Sequence, residues 1–137
     1  MYAGTSDTGV FKSTDGGAWW SAIRIGLSSP CISVLVNDPT TSATVYAGAY
    51  EVPLAVAPDD GGVYKSTNGG RDWIAPGQYR RSQVTALAVD PVSPNILYAS
   101  ANNMFKSTDG GVNWAASYHG LPVGNFANAL AIATLCC

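Results

Sequence analysis

Ser13-Thr-Asp-Gly-Gly-Ala-Trp-Trp20, Ser66-Thr-Asn-Gly-Gly-Arg-Asp-Trp73 and Ser107-Thr-Asp-Gly-Gly-Val-Asn-Trp114 are one phrase written three times in 137 residues. Each copy follows an aromatic–lysine pair: Phe11-Lys12, Tyr64-Lys65 and Phe105-Lys106. The copies stand 53 and 41 residues apart. A repeat of that length marks stacked supersecondary units that bury a shared core, and it decides the architecture before any single residue does.

Outward from the phrase, a longer unit repeats. Ile32-Ser-Val-Leu-Val-Asn-Asp-Pro39 matches Val84-Thr-Ala-Leu-Ala-Val-Asp-Pro91, and Val45-Tyr46-Ala47-Gly48 matches Leu97-Tyr98-Ala99-Ser100 and Tyr2-Ala3-Gly4-Thr5. Gly9-Val10-Phe11-Lys12, Gly62-Val63-Tyr64-Lys65 and Asn103-Met104-Phe105-Lys106 come next, and a fourth run after each Trp closes at Gly26-Leu27 or Gly120-Leu121-Pro122. These are short β-branched and aromatic runs between Gly, Pro, Asp and Asn, which read as strands and turns. No window holds a 3.6-residue period, so no helix longer than a turn is expected. The four strands of a unit are A, B, C and D. Strand A is apolar on both faces, as an innermost, fully buried strand would be. Four strands per unit predict the blades of an all-β propeller. The longer first period is explained by an insertion, Glu51 to Asp60, between strands B and C.

Composition narrows the function classes. Hydrophobic residues are 47% and charged residues 12%, about half the usual charged fraction of roughly 25%. A surface so poor in charge is expected to be covered in part by a partner. Net charge is −2, and no basic stripe exists, so neither nucleic acid nor an anionic membrane is an expected partner. No apolar run approaches the roughly 18 residues of a membrane helix, and no signal peptide is visible, which leaves the compartment undetermined. Cys31, Cys136 and Cys137 are an odd set with two neighbours in sequence, a poor disulfide framework. Only His119 is available beside them, so no metal and no cofactor is expected.

The pattern Ser-x-Asp-x-Gly-x-x-Trp resembles the Asp-box, or BNR repeat. It is shared by sialidases, sortilin-type receptors, oligoxyloglucan-cleaving hydrolases and photosystem assembly factors. The wider phrase, Asp-Pro, then Tyr-Ala-Gly-Thr, then Gly-Val-Phe-Lys-Ser-Thr-Asp-Gly-Gly, is most similar to the hydrolase and photosystem-factor branch. The resemblance covers nearly the whole chain and implies that each box is the turn between strands C and D.

In that turn Ser13, Asp15, Gly17 and Trp20 correspond to Ser66, Asn68, Gly70 and Trp73 and to Ser107, Asp109, Gly111 and Trp114. The Asp or Asn oxygen is expected to accept backbone N–H bonds, as in an Asx-turn. The Trp is expected to staple the turn onto its blade. The opposing reading, calcium binding or acid–base chemistry, is weakened by Asn68, which keeps the oxygen and removes the charge. Trp19 and Asp72 are expected to face solvent.

Because strands alternate in direction, the B–C and D–A loops share one face, where similar propellers bind ligands. There the chain offers Tyr50, Glu51, Asp59 and Asp60 on the insertion, and Arg24, Tyr79, Arg80, Arg81, Tyr118 and His119 on the D–A connections. Aromatic, carboxylate and arginine together suit carbohydrate, although polar loops gather such residues whatever their role. The arginine triad that the resemblance would require of a sialidase is absent. A glycosidase needs two carboxylates facing each other across roughly 5 to 9.5 Å, and Asp59 and Asp60 are adjacent.

The strand inventory is B-C-D over 1–27, A-B-C-D over 30–80, A-B-C-D over 83–122, and a lone strand A over 125–137, twelve strands or three blades' worth. Rings need roughly four to eight blades. The expectation is a homodimer of six blades, closed by exchange of the lone strand A (Asn128 to Ile132) onto the B-C-D sheet of a second copy, with an interface above roughly 2,000 Å². The expected function is a non-catalytic module that binds or scaffolds, with carbohydrate or protein as ligand. The alternative is a remnant or subunit of a glycoside hydrolase, sialidase-like or xyloglucan-hydrolase-like, whose catalytic residues are missing here.

Overall fold

The computed structural model describes residues 1–50, 61–75, 83–122, 124 and 127–133. Among them are ten strands and no helix. β1 (Tyr2–Gly4), β2 (Val10–Lys12) and β3 (Ser21–Ala22) form one antiparallel sheet. β4 (Ile32–Asn37), β5 (Val45–Ala49) and β6 (Gly62–Ser66) form the second. β7 (Ala86–Val89), β8 (Leu97–Ala101), β9 (Asn103–Ser107) and β10 (Ala115–Ala116) form the third, in chain order across the sheet. The protein is a partial propeller of three small sheets.

The middle strand of the second sheet explains the stacking. All of β5 is buried, and its residues alternate between two cores. Val45, Ala47 and Ala49 join Val10, Ile32, Tyr64 and Trp73 on the side of the first sheet. Tyr46 joins Val63, Val84, Leu87 and Leu97 on the side of the third. A period of two with both faces apolar is what a sheet covered on both sides requires. Small residues set the spacing: a Cβ on Gly48 would lie 2.6 Å from the side chains of both Val34 and Val84.

Adjacent sheets are also joined by polar contacts. Ser33 Oγ donates to the carbonyl of Gly48 at 2.9 Å and to that of Val84 in the next sheet. Ile32 N–H donates to the Thr5 carbonyl at 2.8 Å, linking β4 to the end of β1. Trp73 Nε1 donates to the Ile23 carbonyl at 2.9 Å, and Trp73 N–H to that of Ile25 at 2.8 Å.

Three strand expectations are corrected. The expected fourth strand of the second sheet is reduced to one bridge, Lys65 with Ile74, and strand D elsewhere is only two residues long. This outermost strand is exposed and has a neighbour on one side only, so little holds a longer ladder. Strand A is not uniformly buried: Val34, Leu35 and Val36 of β4 are half-buried, whereas Ala86, Leu87 and Ala88 of β7 are buried. Finally, residues 127–133 form no strand, because no described strand pairs with them in a ladder.

Candidate functional site

The three repeated turns share one hydrogen-bond scheme. Ser66 Oγ donates to Asn68 Oδ1 at 3.0 Å and accepts from Gly70 N–H at 2.8 Å, while Asn68 Oδ1 accepts from Asp72 N–H at 3.0 Å. Asp15 does the same with Ser13 at 2.8 Å and Trp19 N–H at 3.0 Å. Asp109 does so with Ser107 at 2.8 Å and Asn113 N–H at 2.8 Å. One side-chain oxygen therefore organises each turn, charged or not.

A second layer escaped the sequence reading. Asn68 Nδ2 donates to Asp72 Oδ2 at 2.8 Å, and Asn113 Nδ2 donates to Asp109 Oδ2 at 2.8 Å. The second and third turns hold the same pair with Asn and Asp exchanged. The signal was present as a reciprocal Asn/Asp at positions four apart. Asp72 is exposed yet bonded.

These bonds set the acidity of the turn carboxylates. The Asn113 N–H, reinforced by its side-chain amide, holds Asp109 down to about 2. The Trp19 N–H and the Ser13 hydroxyl lower Asp15. At the A–B turns, burial works to raise Asp38, but the hydroxyl and N–H of Thr40 outweigh it and the pKa falls. The N–H groups of Ser93 and Val92 lower Asp90. Donors that favour the charged form leave these four groups ionised at neutral pH and unsuited to donate a proton. Among the described residues no cluster of three or more His, Cys, Asp or Glu is arranged to hold a metal.

The opposite end, formed by the B–C and D–A loops, carries the candidate ligand site. An open cleft of about 250 Å³ is lined by Thr8, Arg24, Leu27, Ser28 and Ser29. The turn through Asp7 is held by Thr8 N–H and Thr8 Oγ1 on Thr5 Oγ1 at 3.0 and 2.8 Å, and Asp7 is exposed. Ser28 Oγ and the Tyr64 hydroxyl share a hydrogen bond of 2.7 Å. Ser29 Oγ donates to the Tyr50 carbonyl at 2.7 Å, and Tyr50 N–H to the Cys31 carbonyl at 2.9 Å; Tyr50 is 38% exposed.

Of the sequence-predicted ligand residues, Arg24 lines this cleft, and Tyr50 is joined to the cleft's Ser29 through its backbone carbonyl. Tyr118 and His119 form a separate pair with ring centroids 6.0 Å apart. Among the described residues no hydrogen bond or ring contact joins them to Tyr50. Glu51, Asp59, Asp60, Tyr79, Arg80 and Arg81 lie outside the described residues. Asp7, Thr8 and Ser28 were missed. Their only sequence signal was position: Thr5 to Gly9 is the first unit's short counterpart of the Glu51 to Asp60 insertion.

The comparisons agree with this frame. No protein-family model matches the chain. A xyloglucanase of Hypocrea jecorina (strain QM6a) is 28% identical over 131 residues, covering 83% of this chain and 16% of its own length. The solved GH74 enzyme of Niastella koreensis superposes with a TM-score of 0.69 at 20% identity, over 89% of this chain and 20% of its own. An ancestral GH74 enzyme gives 0.68 at 19%, over 83% and 16%. The GH74 xyloglucanase of Xanthomonas campestris gives 0.65 at 23%, over 84% and 18%. The three sheets are thus the fold of a segment of such propellers, and this chain spans at most a fifth of the length of these relatives.

Proposed function

We propose that this chain is a segment or subunit of a glycoside-hydrolase propeller of the xyloglucanase type, and that its loop end forms part of a wall for a β-glucan chain. One observation carries the reading: the likeness to a xyloglucanase covers 83% of the chain, more than any one repeat. It favours the hydrolase reading over a free-standing scaffold. The cleft supports it with sugar-binding chemistry. Thr8 and Ser28 hydroxyls and the Arg24 guanidinium supply hydrogen bonds, and the exposed Tyr50 ring offers an apolar face for a pyranose.

Hydrolysis needs a facing pair of carboxylates. Asp7 is the only carboxylate at this end among the described residues, so a pair requires Glu51, Asp59, Asp60 or a residue beyond this chain. The test is calorimetric titration of the protein with a xyloglucan oligosaccharide, alongside a reducing-sugar assay. Binding that weakens about tenfold in Arg24→Ala or Tyr50→Ala, without turnover, is the expected result; tenfold corresponds to about 1.4 kcal/mol. Absence of binding to any β-glucan would sink the reading. Turnover abolished by Asp59→Asn or Asp60→Asn would place the catalytic pair within this chain.

A further inference from the structure

Lys12, at the end of β2, joins the first blade to the turn of the second. Its Nζ lies 5.4 Å from the centre of the Tyr2 ring and donates to the Gly69 carbonyl at 3.0 Å. Lys65 repeats this joint at the next pair of blades, 5.2 Å from the Tyr46 ring and 3.4 Å from the Gly110 carbonyl. The two joints differ in what surrounds the lysine. An open cleft of about 370 Å³ lies beside Lys12, and Arg24 and Arg71 line it together with the lysine. Three of the seven Lys and Arg residues of the chain therefore line one cleft.

The other units show that this cluster is not needed to build a blade. Arg71 holds the sixth place of its turn, where the other two turns have Ala18 and Val112. Arg24 stands four residues after its Trp, where the other units have Gly77 and Tyr118. The lysine recurs in all three units, but the arginines meet it at one joint only. Among the described residues neither guanidinium has a hydrogen bond or an ion pair, and no Asp or Glu lines the cleft. The carboxylate next to Arg71 in sequence, that of Asp72, accepts from Asn68 Nδ2 at 2.8 Å.

Like charges gathered in one cleft repel each other unless an anion joins them. Ala22, Ile23 and Ile25 give the cleft apolar walls, and such walls focus the field of the cations into it. An arginine fork pairs with an oxyanion through two parallel N–H groups, whereas an ammonium acts as a point charge. The donors come from three places in the fold: the end of β2, the residues after β3 and the turn of the second blade. Asn68 also lines the cleft, and its amide nitrogen has a second hydrogen beside the one given to Asp72. Donors from three places suit a group with three or four oxygens better than a carboxylate with two.

We infer that the cleft between the first and second blades is a binding site for a tetrahedral oxyanion, a phosphate or sulfate group, free or as an ester on a sugar. The inference does not rest on the hydrolase reading. Arg24 also lines the cleft of Thr8 and Ser28, but Arg71 lines this cleft and not that one. Arg71→Gln is therefore expected to weaken oxyanion binding and to leave xyloglucan binding unchanged.

The test is calorimetric titration with inorganic phosphate, sulfate, glucose 6-phosphate and glucose 6-sulfate, in about 20 mM salt so that screening is slight. One saturable site with a dissociation constant of about 1 mM is expected from a few exposed, charge-assisted bonds. Arg71→Gln and Arg24→Gln are each expected to raise that constant about tenfold. Thermal unfolding should not change, because both side chains are exposed. Arg71→Lys keeps the charge without the fork and is expected to weaken binding about threefold. Lys65→Gln removes the same charge at the other joint and is expected to leave binding within about twofold. An ester that binds more tightly than the free ion, or as tightly, upholds the site and tells which form it holds. No saturation by about 50 mM of any of the four overturns the inference. So does an affinity indifferent to both arginine variants, an equal loss in Lys65→Gln, or acetate that binds as tightly as phosphate.

Discussion

The turns at 13–20 and 66–73 share five of eight residues and the same bonds from the serine hydroxyl and the Asp or Asn oxygen to the backbone, but not the same surroundings. In the second, Gly70 is buried and Trp73 is 2% exposed, held by Ile23 and Ile25 of the preceding blade. Gly69 N–H also donates to Ala43 on the A–B loop of its own blade at 2.8 Å. In the first, no strand or A–B loop among the described residues packs on the turn, Gly16 is exposed and Trp20 is half-buried. The difference teaches that the phrase encodes the shape of the turn, whereas its burial comes from the neighbouring blade. The same residue type is therefore worth different amounts at equivalent positions.

The tryptophans should show this most strongly. Trp73→Ala is expected to cost about 3–5 kcal/mol, as large buried aromatics do, and Trp20→Ala about 1–2 kcal/mol for partial burial. Urea unfolding at concentrations where the chain is monomeric reads both. Equal losses would break the comparison and show that the first turn is covered.

The glycines come next. At Gly70 an added Cβ would lie 2.3 Å from Ile23 Cδ1 at a φ of +85°, while at Gly16 only the φ of +77° opposes it. Gly70→Ala is expected to cost about 3 kcal/mol, combining left-handed strain with overpacking. Gly16→Ala is expected to cost about 1 kcal/mol. Thermal unfolding of the two variants side by side decides whether the packing difference is as stated.

The lysine joint is smaller. Lys12→Met removes a 3.0 Å bond to Gly69 and a contact with the Tyr2 ring, and a loss of about 1–2 kcal/mol is expected at this half-buried site. Lys65→Met, whose bond to Gly110 is 3.4 Å, should lose less. The reverse order would show that the ring contact, not the carbonyl, dominates.

Acid separates the turns by chemistry rather than burial. Asp109 has a native pKa lowered from 3.8 to about 2. The stabilisation it adds is fully present above the unfolded value, declines below it, and is lost as pH falls through the native one. Asp15 is lowered in the same sense. Asn68 Oδ1 takes up no proton in this range, so its bonds to Ser66 and the Asp72 N–H persist. Amide exchange at Asn113 and Trp19 is expected to quicken as pH drops from 4 towards 2, beyond the change at Asp72 once intrinsic rates are removed. Parallel behaviour at all three amides would mean that the position of the oxygen, not its charge, holds the turns.

Much of this molecule was legible in the chain because its information is local and repeated. Ser66, Asn68 and Gly70 form their turn from atoms four residues apart. The repeated runs Val45 to Gly48 and Leu97 to Ser100 name strands of equivalent place in their units. Tertiary structure decided the rest, because burial and pairing depend on residues far away in sequence. It left β4 half-buried and β7 buried, reduced the second blade's outer strand to one bridge, and left residues 127–133 without a ladder. It also placed Thr8, Arg24 and Ser28 around one cleft, which no spacing could disclose. The sequence by itself determined how each blade is made; only the packing of blade on blade determined which copy of a repeated residue is held and which stands open.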